Sequence, residues 1–267
     1  MARFGGNASA DRRARGNARV TARIAAFALL VTLTACTAAN APTPHSATDG
    51  ARGHAHGDGH DAGQATCTER FHDVNRWKRI FDDPARAEWQ KPNELIAALA
   101  IRPGMRVADV GAGTGFFLRY LSDAVGPSGR VVAVEVETNL VSHMKNRAKD
   151  EDLSNVDVVL TPLDRLSLPD RSIDVLLLVD AYHHIDRRIE YFRAAADTLA
   201  PNGRIAIVDW KPGDQPRGPR DEDHKIAPEV VEREMTAAGY RLVAAPDILP
   251  YQFVLVFARP DGTIPPR

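Results

Sequence analysis

The stretch MRVADVGAGTGFFLRYL, residues 105 to 121, constrains this chain more than any other. An apolar run ends in three glycines at alternate positions, Gly111, Gly113 and Gly115, and a helical pattern follows at once. A chain that leaves a strand and enters a helix within so few residues needs backbone conformations that a Cβ disfavours. The glycines also bare the backbone, and the first amides of a helix lack partners of their own, so a ligand can be pressed against them. A tight turn with no ligand needs the same glycines. The turn alone therefore does not separate scaffold from site.

The surroundings define the fold class. Short Val/Ile/Leu runs occur at 106–110, 131–136, 156–160, 173–179 and 205–208, separated by helical patterns at 115–124, 138–149 and 188–199. APNG, residues 200 to 203, reads as a turn after the last of these helices. Apolar strands alternating with amphipathic helices predict a parallel sheet covered on both faces. The ending breaks that rhythm. A helix over 228–238 is followed by two strand patterns within YRLVAAPDILPYQFVLVFARP, joined by PDILP with no helix between. That is a hairpin, so the last strand should run antiparallel. Upstream of the glycines the helical segments break at Pro84 and Pro92, and Asn93 is placed to open a helix over 94–100.

Two acidic residues flank the glycine turn. The spacing is G-x-G-x-G, and Phe116 stands where a dinucleotide fingerprint G-x-G-x-x-G needs its last glycine. That argues against a nicotinamide or flavin dinucleotide. Glu135 lies at the end of the second strand pattern, where a carboxylate accepts hydrogen bonds from both hydroxyls of a ribose. Asp109 precedes the glycines and can order the amides of the loop.

With these residues in place, VADVGAGTGFF, VVAVEVE, LDRLSLPDRSIDVLLLVDAYHHI and LAPNGRIAIVDWK resemble, in order and spacing, the successive motifs of class I S-adenosylmethionine-dependent methyltransferases. The resemblance runs from residue 77 to 258. It implies an α/β, Rossmann-like fold: a doubly wound, seven-stranded, mostly parallel sheet whose last strand is antiparallel. It implies S-adenosylmethionine as cofactor, with Gly111, Gly113 and Gly115 around its methionine part and Glu135 on its ribose. Asp164, four residues before Leu168-Pro169, takes the position whose carboxylate meets the adenine amino group, although TPLD replaces the more usual Gly-Asp pair. FDDPARAEWQKP, residues 81 to 92, is similar to the opening of a bacterial methyltransferase subgroup whose N-terminal helices lie over the cofactor mouth. Gln90 and Lys91 are there the candidates for the methionine carboxylate, a helix-surface role being the alternative.

Methyl transfer from a sulfonium is an in-line displacement with a neutral leaving group, so the protein mainly positions the reactants and excludes water. A general base helps only where the acceptor must shed a proton. DAYHHI, residues 180 to 185, ends the fourth strand pattern at the edge where open α/β sheets bind ligands. Asp180 belongs near the reacting methyl or the cofactor's amino group. His183 and His184 are adjacent and should point different ways, one towards the acceptor and one into the structure; for either taken singly the structural role weighs more. The stretch from Asp209 to Lys225 is long and polar, either one wall of an acceptor pocket, with Asp209, Trp210, His224 and Lys225 as candidates, or a solvated loop. The candidate set is thus Asp180, His183 and His184 for catalysis and Asp109, Gly111, Gly113, Gly115, Glu135 and Asp164 for the cofactor. No metal is expected.

The N-terminus has a different character. Residues 1 to 23 hold six Arg and one Asp, and IAAFALLVTL follows. A basic flank before a short apolar core is a secretory signal, and LTAC, ending at Cys36, resembles the lipobox of bacterial lipoproteins, in which the Cys is lipidated. Thr37 after it implies the outer membrane, periplasmic face; the protein is cytoplasmic if the signal is not used. The expected organisation is a signal peptide (1–35), a flexible Ala/Gly/His-rich tether (36–66), a helical cap (67–104), the methyltransferase domain (105–259) and a tail (260–267). His54, His56 and His60 lie in the tether and read as a polar linker. With two cysteines, Cys36 and Cys67, no disulfide framework is available. A net charge of -1 with dispersed Lys and Arg gives no hint of nucleic acid, and no nucleic-acid partner is expected. The expected partner is a small-molecule methyl acceptor, the only membrane contact is the lipid at Cys36, and a monomer is expected. An envelope lipoprotein that keeps the fold without turnover is the competing reading, since S-adenosylmethionine is made in the cytoplasm.

Overall fold

The computed structural model describes residues 63–66 and 71–261. The signal peptide, Cys36, Cys67, the three tether histidines and the last residues of the tail lie outside them.

Among the described residues three short helices precede the sheet: α1 (Val74–Phe81), α2 (Arg86–Gln90) and α3 (Pro92–Ala98). The order is then β1 (Arg106–Val110), α4 (Leu118–Val125), β2 (Arg130–Glu135), α5 (Thr138–Asp150), β3 (Val156–Leu160), β4 (Ile173–Val179), α6 (Arg188–Ala195), β5 (Leu199–Trp210), α7 (Pro228–Ala237), β6 (Arg241–Ala244) and β7 (Gln252–Ala258). The seven strands form one sheet in the order β3-β2-β1-β4-β5-β7-β6. β1 to β5 pair in parallel, and β7 runs antiparallel between β5 and β6, as the terminal hairpin pattern requires. Among the described residues no helix is long and apolar enough to cross a membrane.

Strand alternation divides the core. Val107, Val175, Leu177, Val179 and Val208 face α3, α4 and α5, together with Leu95, Leu118, Leu121 and Met144. Ala108, Val110, Leu176, Leu178, Ile205 and Ile207 face α6 and α7, with Phe192, Val231 and Met235. The central strands read as continuous apolar runs because both of their faces are covered.

Local differences from the sequence pattern have local causes. The helix expected to open at Asn93 begins at Pro92, which suits a first helical position because it has no N–H to leave unpaired. APNG does not lie outside the sheet. β5 starts at Leu199, paired with Ile173, and the register resumes at Val175 with Arg204, so residues 200–203 are carried as an irregularity within the strand. Gly203 fits there because a Cβ would stand 2.8 Å from the Ile173 carbonyl oxygen. The helix expected from Gly115 begins at Leu118, the glycines being used up in the turn.

The tether's predicted boundary at residue 66 also moves. The Gly63 N–H donates to Glu234 Oε1 at 2.9 Å, the Gly63 carbonyl accepts from Arg188 N–H at 2.7 Å, and Thr66 N–H donates to the His183 carbonyl at 3.0 Å. Residues 63–66 are thus seated on the domain beside the start of α6. They rest on a buried ion pair in which Arg188 Nε and Nη2 reach Glu234 at 2.6 and 3.0 Å and Tyr182 Oη donates to the same carboxylate at 2.8 Å. Burial opposes the Glu234 charge, but Arg188 and Tyr182 more than offset it and hold its pKa below the usual range. Leaving a buried charge without its partner typically costs about 3–5 kcal/mol. Glu234→Ala should therefore lower the stability by about that amount in urea denaturation, and amide exchange should show residues 63–66 losing protection before the sheet does.

Candidate active site

Parallel sheets bind ligands at the carboxyl ends of the strands, where the strand order reverses. Here that point lies between β1 and β4, and the candidate residues gather around it. Gly111, Gly113 and Gly115 all have positive φ, at 73°, 60° and 83°. A Cβ on Gly111 would stand 2.7 Å from the Ala181 Cβ, and one on Gly115 would stand 2.7 Å from Leu118 Cδ1. The turn after β1 therefore lies against the turn after β4 with no room for a side chain.

Glu135, the last residue of β2, faces the glycines. Its Oε2 accepts the Gly113 N–H at 2.8 Å, and its Oε1 accepts the N–H groups of Val136 and Glu137 at 2.7 and 3.1 Å. Burial raises its pKa, against the pull of those three donors. Asp109 does not order the loop amides as expected. The amides of Gly111 and Ala112 go to the Val134 carbonyl, while the Asp109 side chain is buried beside Arg86 and Glu135. The reason is direction: alternation in β1 turns Asp109 to the α4 face, and the loop closes on β2. Desolvation, with Glu135 adding to it and Arg86 opposing, pushes Asp109 up to about 7.

Asp180 follows β4 with φ 55°, a conformation uncommon for a residue with a Cβ. Desolvation raises its pKa to about 6 against the effect of Arg86. Its carboxylate accepts from Gln252 on β7, by a short contact, and from Gln90 Nε2 at 3.4 Å; Gln90 in turn donates to Gln252 Oε1 at 3.0 Å. Of the two cap residues singled out in the sequence, Gln90 thus joins the site. Lys91 does not: its Nζ reaches the Ile248 carbonyl at 3.3 Å.

The residue that sequence reading missed is Arg86. It sits one helical turn before Gln90, its Nε donating to Gln90 Oε1 by a short contact and its Nη1 to the Phe81 carbonyl at 3.0 Å. Its guanidinium lies 4.5 Å from the Phe116 ring centroid and Nη2 is 3.7 Å from Asp180. The i,i+4 spacing of Arg86 and Gln90 was visible in the chain; what it faced was not. The cap is further held by Asp82, which accepts from Thr114 Oγ1 at 2.7 Å and Arg147 Nη1 at 3.0 Å, and by Phe81, whose ring lies over Gly113.

The two histidines do not point different ways as expected: they share the short turn over 182–184, and their ring centroids lie 4.2 Å apart, so they differ in burial and not in direction. His183 is 1% exposed, and its Nδ1 lies 2.9 Å from both oxygens of the fully buried Asp209. Burial disfavours its charged form, but the Asp209 carboxylate prevails and raises its pKa. His184 is partly exposed and packs edge-on against Phe71, 5.3 Å away, with His224 at 5.8 Å. The 211–225 segment folds back on itself through Lys225 Nζ, which donates to the Gly213 carbonyl at 2.9 Å. It also lies on Trp210, where Gly218 leaves space for the indole that a Cβ would fill. Asp164 is not drawn into the site. Its side chain is 51% exposed and pairs with Arg165 at 3.2 Å.

A methyltransferase domain family matches residues 107–203. The chain is 29% identical over 120 residues to the ubiquinone/menaquinone biosynthesis C-methyltransferase UbiE of Ectopseudomonas mendocina (strain ymp), which is 44% of this chain and 47% of that protein. The chain thus spans about half the length of the curated relatives it matches. A solved S-adenosylmethionine-dependent methyltransferase from Aquifex aeolicus is similar over 69% of this chain and 97% of its own, at 28% identity and a TM-score of 0.66. The mitomycin 7-O-methyltransferase MmcR shares the fold alone, at 15% identity and a TM-score of 0.52 over 64% of this chain and 53% of its own. Fold and site together resemble those of class I S-adenosylmethionine-dependent methyltransferases. S-adenosylmethionine is the cofactor the site's residues fit: a turn bare of side chains, a carboxylate facing it at the end of β2, and Asp109, Asp180 and Arg86 gathered at the ends of β1 and β4.

The raised pKa of Asp109 has a consequence for stability. In the unfolded chain the group titrates near ~3.9, whereas folded it keeps its proton up to about 7. Its contribution to stability is thus full below about pH 4 and is lost as the pH rises through about 7. Asp109→Asn removes this titration, so thermal melts of the cofactor-free protein should show the variant gaining on the wild type between pH 4 and about 7.5. A difference that does not change with pH would show Asp109 to be already ionised in the folded chain.

Proposed function

We propose that this protein transfers a methyl group from S-adenosylmethionine to a small-molecule acceptor by in-line displacement. The observation that carries the reading is the convergence of the glycine turn, Glu135 and Asp180 on the strand-order reversal between β1 and β4. The bound cofactor would supply a methyl on a sulfonium, activated without further protein chemistry. Gly111, Gly113 and Gly115 would hold it through the backbone and Glu135 through its ribose. Asp180, held by Gln90 and Gln252, would face the positive end of the cofactor.

The acceptor is best placed on the side of His184. His183 is buried and its Nδ1 is committed to Asp209, which fixes the turn after β4. His184 is the more open of the two, between Phe71 and His224. The quinone-pathway relative names a carbon acceptor and the structural relative an oxygen acceptor, so neither name chooses the atom methylated here. His184→Ala should raise the acceptor KM or lower kcat while leaving cofactor affinity unchanged, and His183→Ala should act mainly on stability. Both are read by kinetics beside thermal melts.

Calorimetric titration of the full chain with S-adenosylmethionine and with S-adenosylhomocysteine tests the reading. Micromolar binding, weakened at least tenfold (about 1.4 kcal/mol) by Glu135→Ala, is expected. A folded protein that binds neither compound would refute it. For location, the proposal is a lipid anchor at Cys36, which rests on the basic flank, the apolar core and LTAC alone. Fatty-acid labelling that is lost in Cys36→Ser is the expected result, and an unlabelled wild-type chain would refute the anchor.

A further inference from the structure

We propose that the seam between α1 and α5 is an acid-released latch: a proton taken by His143 frees the C-terminal end of α1, and with it the hold of the cap on the glycine turn. The latch stands apart from the methyltransferase reading above; only its effect on cofactor binding rests on that reading.

α1 packs on α5, and charged and titratable side chains of both meet there. α1 contributes Lys78 and, as the residue that ends it, Asp82; α5 contributes His143 and, one turn further on, Arg147. Asp82 accepts from Arg147 Nη1 at 3.0 Å, and Arg147 Nε donates to Glu151 Oε1 at 2.8 Å. The seam is then balanced, with Lys78 and Arg147 against Asp82 and Glu151. His143 is placed differently: its Nε2 is buried and makes no hydrogen bond among the described residues. A neutral ring can keep its proton on Nδ1 and leave Nε2 bare, whereas a charged ring needs an acceptor at both nitrogens. A proton here would also add a third cation to a balanced set. Burial first, then Lys78 and Arg147, hold the His143 pKa below the ordinary histidine range, with Asp82 opposing. The closed seam therefore takes the proton less readily than the open one, whose histidine titrates near ~6.5. It is favoured above that pH and loses its advantage as the pH falls below it.

What α1 carries connects the latch to the site. Asp82 also accepts from Thr114 Oγ1 at 2.7 Å, and Arg147 Nη1 donates to the Thr114 carbonyl at 3.2 Å, so the seam ties α5 to the middle of the glycine turn. Phe81, the last residue of α1, lays its ring 3.6 Å from where a Cβ on Gly113 would stand and stacks on Trp77 at 5.0 Å. When this end of α1 lifts, the turn loses its carboxylate partner and its aromatic cover together. The other end of the seam works in the opposite sense. His72 Nδ1 lies 3.1 Å from Glu137 Oε2, a contact that a proton strengthens, and Asn139 Nδ2 donates to the His72 carbonyl at 3.3 Å. Acid thus loosens the end of α1 while the approach to its start stays held, so opening is a hinged movement and not the loss of the whole cap.

Amide exchange of the full chain, corrected for the intrinsic effect of pH on exchange, tests the latch without any ligand. Between about pH 8 and pH 5.5 the amides of residues 77–82 should lose protection by about fivefold or more relative to β1 and β4, which report the fold. In His143→Gln the change should stay below about twofold, and in His143→Lys the same amides should be open already at about pH 8. His72→Gln should keep the acid response. The imidazole resonances of His143 give a reading that needs no variant, since the ring should gain its proton over the pH interval in which α1 opens. Equal responses in wild type and His143→Gln, a protected α1 in His143→Lys, or a proton gained with α1 still closed would overturn the proposal. Calorimetric titration with S-adenosylmethionine over the same range should show the wild type losing about fivefold more affinity than His143→Gln. Equal losses would overturn the link to the glycine turn. A wild-type chain that binds no S-adenosylmethionine at any pH refutes the methyltransferase reading and leaves the exchange result to decide the latch.

Discussion

A methyl placed on Gly111 would stand 2.7 Å from the Ala181 Cβ, and the rest of the site is arranged around that approach. Two parallel strands with covered faces end side by side at the reversal of strand order, and the turns that leave them diverge to opposite faces of the sheet. Only because the β1 turn has no side chain at Gly111 can it accept the Ala181 methyl group this closely. The result is a floor of backbone on which a ligand can rest. The carboxylates of Glu135 and Asp180 stand on either side of it, at the ends of the strands that flank β1.

Burying acidic groups at one sheet edge is unfavourable, and the raised pKa values of Asp109, Glu135 and Asp180 express that cost, loss of solvent first and neighbouring carboxylates second. Each is offset differently. Glu135 is held by three main-chain donors, Asp180 by two side-chain amides, and Asp109 by the nearby charge of Arg86. The cap therefore does more than cover the sheet. Through Arg86, Gln90 and Asp82 it supplies polar groups that the edge lacks, while Phe71, Trp77 and Phe81 form an aromatic cluster above the glycine turn. Domain stability and site electrostatics meet in these short helices, which would bury little on their own.

The other half of the site is firmer. Arg188, Glu234, Tyr182 and the residues at 63–66 are tied in one buried network next to His183, whose own imidazole is fixed by Asp209. This holds the turn after β4 and with it the position of Asp180. The same network draws in chain that composition alone would leave as linker, because a glycine amide can satisfy a buried carboxylate as well as any side chain.

Much of this was legible in the chain itself. The limits of β1, β3 and β4, the parallel rhythm and the terminal hairpin follow from periodicity, since an apolar run buried on both faces has few other solutions. The glycine turn and Glu135 were legible because spacing along adjacent parallel strands translates directly into distance across them. What the sequence could not decide was which distant groups meet. Asp109 turned to Arg86 and not to the loop, Asp164 stayed in solvent with Arg165, His183 found Asp209 twenty-six residues on, and residues 63–66 found Glu234. Each of these depends on the side from which a helix or loop approaches the sheet edge, and that is settled by tertiary packing. A local pattern carries no record of what will be packed against it.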